Sequence, residues 1–106
     1  MNKEIEAKIE QIADSQELRD VIMQTAEEVG ELLQALSKHH RLFGYGQPLG
    51  KYMTVYEAEN AVLEELADVQ LVLKELQYKF GFSDEAMQSI MQTKVGRTLS
   101  RIIGED

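Results

Sequence analysis

Six carboxylates on two short stretches are the residues of this chain best placed to do chemistry: Glu27, Glu28 and Glu31, then Glu64, Glu65 and Asp68. On a helix, residues three and four apart are neighbours, so each group projects from one patch of surface. Some other helix-surface acids are matched by a base at i+4, as Glu4 is by Lys8 and Glu75 by Lys79. These six are not. Three and four residues to either side they meet another acid or uncharged residues such as Met23, Gln24, Thr25, Gln34, Ala35, Asn60, Ala61, Leu71 and Val72, and no base. Like charges at these spacings cost roughly a few tenths of a kcal/mol per pair, so the clustering predicts an external cation. Glu28, Glu31, Glu65 and Asp68 are the expected ligands, and an all-oxygen set suits a hard ion, Mg²⁺ with Mn²⁺ as a substitute. A di-iron site would need Glu-x-x-His, and Glu31 and Asp68 stand where the histidines would be. The plain alternative is a solvated acidic surface with no response to metal.

The elements that must carry these acids read as four helices, and the expected fold class is all-α. The first covers about Lys3 to Ala13, with Ile5, Ile9 and Ile12 on one side. The second runs from an N-cap at Ser15 to about Phe43, with Gly44 as its C′ residue. Thr54 and Glu57 have the spacing of a capping box that opens the third, which ends before Gly81. The fourth starts at Ser83, has Asp84 and Glu85 in its first turn, and ends near Gly104. Heptad-like steps link Leu18, Ile22, Thr25, Val29, Leu32, Leu36, His39 and Phe43, and likewise Val62, Leu66, Val69, Leu73, Leu76 and Phe80. That rhythm predicts two long helices packed nearly antiparallel along these seams. At about 100° per residue, Glu28 and Glu31 then lie about 110° from their seam, and Glu65 and Asp68 about 90° from theirs. They would sit on the flank of the interface, with Glu27 and Glu64 on the far side. Met23, Ala26, Leu33, Leu63 and Leu71 extend the apolar surface beyond one stripe, which predicts a helical-bundle homo-oligomer.

Composition bounds the rest. The chain has 106 residues, a formal charge of −8, 43% apolar and 28% charged residues, and no cysteine. These values predict one soluble, cytoplasmic domain over residues 1–106. They exclude a disulfide scaffold, a thiol nucleophile and a Cys-based zinc site. No basic face exists for a nucleic-acid duplex, no apolar run is long enough for a membrane span, and MNKEIEAKIEQ lacks the apolar core of a signal peptide.

EEVGELLQAL at 27–36 and LEELADVQLVL at 63–73 resemble the paired motifs of the MazG-like all-α nucleotide pyrophosphohydrolases, over about residues 17–100. In that family an E-E-x-x-E helix faces an E-x-x-D helix, which maps onto Glu27, Glu28, Glu31, Glu65 and Asp68. The resemblance implies Mg²⁺-dependent hydrolysis of a nucleoside triphosphate to monophosphate and pyrophosphate, by a homodimer or homotetramer. It also implies a phosphate-contacting basic group on the next helix, where Lys94 and Arg97 stand.

Physical chemistry agrees with that expectation, because a chain of charge −8 repels a triphosphate unless cations screen it. Glu27 is assigned as the base for the attacking water, and Lys94 and Arg97 as the groups that offset charge on the phosphate oxygens. Lys38, two turns beyond Glu31, is a further phosphate contact; favourable charge at a helix C-terminus also accounts for Lys38, His40 and Arg41. His39 falls on the seam and reads as a buried, hydrogen-bonded residue rather than a ligand. Tyr45, Tyr52 and Tyr56 flank the Gly-rich loop and could stack on a base or pack the loop. The five methionines read as core filler. Two rivals remain open: a specialised substrate such as phosphoribosyl-ATP, and a non-catalytic helical oligomerisation module.

Overall fold

The computed structural model describes residues 1–45 and 54–104, with side chains for 1–42 and 54–104. Among these the protein is all-helical: α1 (Lys3–Asp14), α2 (Leu18–Tyr45), α3 (Val55–Phe80) and α4 (Asp84–Ile102). Short polar side chains set most of the boundaries. Asn2 accepts from the Ile5 amide at 2.8 Å, and Ser83 accepts from the Ala86 amide at 3.1 Å. The box at the head of α3 is reciprocal, Thr54 Oγ1 accepting from Glu57 N and Glu57 Oε1 from Thr54 N. Gly81 ends α3 with φ 74°, a left-handed conformation that glycine adopts without a Cβ clash. Thr54→Ala is expected to lower stability by about 1 kcal/mol, seen as a lower urea midpoint with an unchanged slope.

Two boundaries differ from the sequence reading. Ser15 closes α1 rather than opening α2: its amide turns back to Ile12 and Ala13, and its hydroxyl donates to the Ile12 carbonyl at 2.6 Å. The Glu17 carbonyl receives the first α2 amides, Asp20 and Val21, at 3.0 and 3.1 Å. Gly44 lies inside α2, which continues to Tyr45; one glycine costs a helix only about 1 kcal/mol, too little to stop it.

The larger correction concerns the seam. Of the expected seam positions, Thr25 and Val69 are buried, and Leu18, Leu32, His39, Val62 and Leu76 half-buried. The alternating ones point outward: Ile22 is 42% exposed, Leu36 45%, Leu66 42% and Leu73 47%. Their places are taken by Val21, Glu28 and Ala35 on α2 and by Ala58, Glu65 and Val72 on α3. The observed seam is therefore one residue earlier at every second step, and it is narrower. Ala35, Ala58 and Val21 let the helices approach closely, while the bulkier Ile, Leu and Val set forms a separate outward face. Across the two helices His39 lies near Glu59 and Glu28 near Glu65.

α1 lies on α3 through Ile9 and Ala13, with Gln16 Nε2 donating to the buried Glu75 at 2.9 Å and Tyr78 Oη to Asp14 at 2.8 Å. α4 behaves differently. None of its residues is buried, and among the described residues it forms no extended interface with the other three helices. Its start is tied to the end of α3, where Gln77 Nε2 donates to the Phe82 carbonyl and to Asp84 Oδ1, and Phe80 stacks on Phe82 at 5.1 Å. The described methionines are not core filler: Met1, Met23, Met87 and Met91 are all exposed, and Met53 lies outside the described residues. No described helix is long and apolar enough to cross a membrane.

Candidate metal centre

Because the seam is rotated, Glu28 and Glu65 are carried into it rather than onto its flank. Both are half-buried, and Glu31 joins them from the more exposed side of α2. One carboxylate oxygen of each of Glu28, Glu31 and Glu65 lies within 4.8 Å of the others, a span a single cation can bridge. Asp68, one helical turn after Glu65, is outside this trio. Its charge still acts on both seam glutamates.

The electrostatics show what the trio lacks. Burial pushes the Glu28 carboxyl above the ordinary glutamate value, and the negative charges of Glu31, Asp68 and Glu65 push it further. Glu65 is raised in the same way, by burial and then by Glu31, Asp68 and Glu64. Removing a carboxylate from water disfavours its charged form, and like charges nearby add to the penalty. Glu28 Oε2 and Glu65 Oε2 are buried with no hydrogen-bond donor among the described residues, as is Gln24 Oε1 one turn before Glu28. The ion pairs among the described residues involve other acids. Buried acceptor oxygens without donors are uncommon in folded proteins, because each forfeits the hydrogen bond it made in water. Two of these oxygens belong to the trio of Glu28, Glu31 and Glu65, an all-carboxylate set of the kind that fits a hard divalent cation.

Beside the trio, a groove of about 400 Å³ runs between α2 and α3, lined by Glu31, Gln34, Ala35, Lys38, Ala58, Ala61 and Glu65. Its floor is built of alanines, so the small side chains that permit close helix packing also open this space. Lys38 stands at one end of the groove and the carboxylates at the other. Lys38 and the carboxylates thus belong to one concave surface, as an anionic ligand with a bound cation would require.

The remaining sequence candidates fall elsewhere. Glu27 is exposed on α2 beside Glu28. Lys94 and Arg97 are exposed on α4, which forms no extended interface with α2 or α3 among the described residues. His39 is half-buried, its Nε2 3.8 Å from Glu59 Oε1. Tyr56 is exposed, whereas Tyr52, the Tyr45 side chain and the loop of 46–53 lie outside the described residues. Sequence reasoning passed over Gln24, although its position one turn before Glu28 was a usable signal, and it passed over the alanines of the groove. Compared with known protein families, curated proteins and solved structures, the chain matches none.

Proposed function

We propose that this protein is a Mg²⁺-dependent nucleotide pyrophosphohydrolase that cleaves a nucleoside triphosphate to the monophosphate and pyrophosphate. In this reading it assembles as a homo-oligomer of antiparallel helix pairs and works in the cytoplasm, cleansing the nucleotide pool. The observation that carries the proposal is the trio Glu28, Glu31 and Glu65, with two of its oxygens buried and lacking donors, at the mouth of an alanine-floored groove that ends in Lys38. The resemblance of 27–36 and 63–73 to the MazG-like motifs points the same way.

Glu28, Glu31 and Glu65 would hold the cation, with Asp68 completing its surroundings from the next turn of α3. When bound, Mg²⁺ supplies neutralisation of phosphate charge and polarisation of the phosphorus–oxygen bonds. The protein's own groups do the rest. Rigid packing of α2 on α3 fixes the carboxylates, so the site needs no reorganisation during reaction. The groove admits the polyphosphate alongside the carboxylates, and Lys38 binds an outer phosphate there. Glu27, exposed beside Glu28, accepts the proton of the water that attacks the α-phosphorus in line with the departing pyrophosphate. Lys94 and Arg97 stabilise negative charge on the phosphate oxygens as the bond breaks.

The test is release of pyrophosphate from a panel of ribo- and deoxynucleoside triphosphates, together with phosphoribosyl-ATP, with and without millimolar Mg²⁺. Metal-dependent release of pyrophosphate, and not of orthophosphate, is expected for at least one member. Silence across the panel with Mn²⁺ also present would overturn the reading in favour of a non-catalytic helical module.

A further inference from the structure

We propose that Gln24 is a further member of the cation site, its side-chain carbonyl oxygen facing the bound ion as a neutral acceptor beside the carboxylates of Glu28, Glu31 and Glu65. The inference deepens the metal reading of this site and rests on it, but not on what the site hydrolyses.

Placement is the first argument. Gln24, Glu31 and Lys38 recur every seven residues along α2. At that spacing a helix returns to the same side with a drift of only about 20° per step, so the three form one stripe. Glu31 and Lys38 line the groove between α2 and α3, and Gln24 continues their stripe past the carboxylates. Glu28 lies one turn after Gln24. Side chains on a helix lean back towards its N-terminus, which carries the Glu28 carboxylate over the turn that Gln24 opens. In the antiparallel pairing proposed above, one turn back from Glu28 on α2 faces one turn on from Glu65 on α3, where Asp68 stands. Amide, acids and ammonium thus follow one another along about 21 Å of helix, with the acids in the middle.

Orientation is the second. Gln24 is half-buried, and its Oε1 is wholly buried with no donor. The side-chain atoms in that condition among the described residues are Gln24 Oε1, Glu28 Oε2 and Glu65 Oε2, and all three belong to this stretch of the helix pair. A donorless buried amide oxygen leaves the hydrogen bond it made in water unreplaced. Two other glutamines next to acids take the ordinary course and donate Nε2–H to a carboxylate, Gln16 to Glu75 at 2.9 Å and Gln77 to Asp84 at 2.8 Å. Gln24 instead turns its oxygen inward, although Glu28 is its neighbour at i+4. Carboxylates repel an amide oxygen, unless a cation lies between and draws all of the oxygens to itself. Glutamine carbonyls are ordinary partners of hard divalent ions, so carbonyl-inward is the orientation such an ion selects.

The test reads metal binding directly, with Mn²⁺ as the probe. Free Mn²⁺ is followed by its EPR signal during titration of wild type, Gln24→Leu and Gln24→Glu, and melting curves of the metal-free proteins are recorded alongside. Gln24→Leu keeps an apolar stem and removes the oxygen. It should bind Mn²⁺ about 10-fold more weakly, as loss of an outer partner of a metal site does, with an unchanged or higher metal-free melting temperature. Gln24→Glu replaces the neutral oxygen by a charged one. It should bind several-fold more tightly than wild type at pH 7.5 and melt lower without metal. Wild-type affinity in Gln24→Leu would overturn the proposal, because the oxygen would then not act on the ion. A lower metal-free melting temperature in the same variant would also overturn it, since the amide would then be holding the fold. So would a Gln24→Glu protein that binds no more tightly than wild type. If wild type itself binds no Mn²⁺, the cation site falls and the role of Gln24 with it. Should the affinities change as expected in a protein that releases no pyrophosphate, Gln24 keeps its place and the hydrolase reading is lost. Metal-dependent release with unchanged affinity in Gln24→Leu does the reverse.

Discussion

Glu28→Gln and Glu65→Gln should each lower the rate of pyrophosphate release by at least about 100-fold, because loss of groups that merely orient metal ligands already costs 10–100-fold. The same substitutions should raise the melting temperature of the metal-free protein by a few degrees. This opposition separates a binding site from a structural cluster. A glutamate that held the fold together would lose stability when neutralised, as buried ion pairs do when one partner is removed. Glu28 and Glu65 have no cationic partner among the ion pairs of the described residues, and their neighbours Glu31 and Asp68 repel them. Glutamine keeps the shape and removes the charge. A variant with unchanged turnover would show that neither residue holds the ion.

The second large effect is a reversal of that stability gap by metal, together with a dependence on pH whose sign can be derived. A carboxyl raised above its ordinary value binds more protons in the folded chain than in the unfolded one. Stability then falls as pH rises from about the unperturbed value of 4.5 through the raised folded value. Wild type should therefore match the Glu28→Gln/Glu65→Gln protein near pH 4.5–5 and fall behind it towards pH 7.5, with no divalent ion present. Added Mn²⁺ or Mg²⁺ binds only the deprotonated carboxylates, so it should stabilise wild type at pH 7.5, have little effect at pH 5, and leave the double variant unmoved. At a metal concentration 100 times the Kd the gain is about 2.7 kcal/mol, enough to put wild type ahead. Melting curves over pH 4.5–8, with and without metal, measure all of this. A gap that neither widens with pH nor inverts with metal would mean that the trio is ordinary surface charge.

Much of the local structure was legible in the sequence, and the reason is that it depends on near neighbours. Thr54 and Glu57 announce the head of α3, Ser83 that of α4, and Gly81 the left-handed end of α3, because each acts on backbone groups within one turn. Apolar period and capping residues were enough for an all-helical reading of the described residues. Ser15 and Gly44 were misread where two local roles competed. A short polar residue between adjacent helices can serve either one, and a single glycine does not end a helix that its neighbours favour.

The acids Glu28, Glu31 and Glu65 could be picked out as a group from residue type and spacing, since the missing bases are visible along the chain. Their position in the site could not. Ile22, Val29 and Leu36 and the set Val21, Glu28 and Ala35 both flank Thr25, Leu32 and His39 at helical spacing, so periodicity admits either as the seam. Hydrophobicity favours the first set. Close approach of α2 and α3 over Ala35 and Ala58 selects the second, draws Glu28 and Glu65 out of water, and raises their pKa values. Likewise, only the tertiary structure shows that α4 leaves its own chain uncovered. The sequence by itself determined which residues carry charge, which are apolar and where α1, α3 and α4 start. Which face meets which was decided in three dimensions, because burial is a property of pairs of surfaces and not of any one stretch of chain.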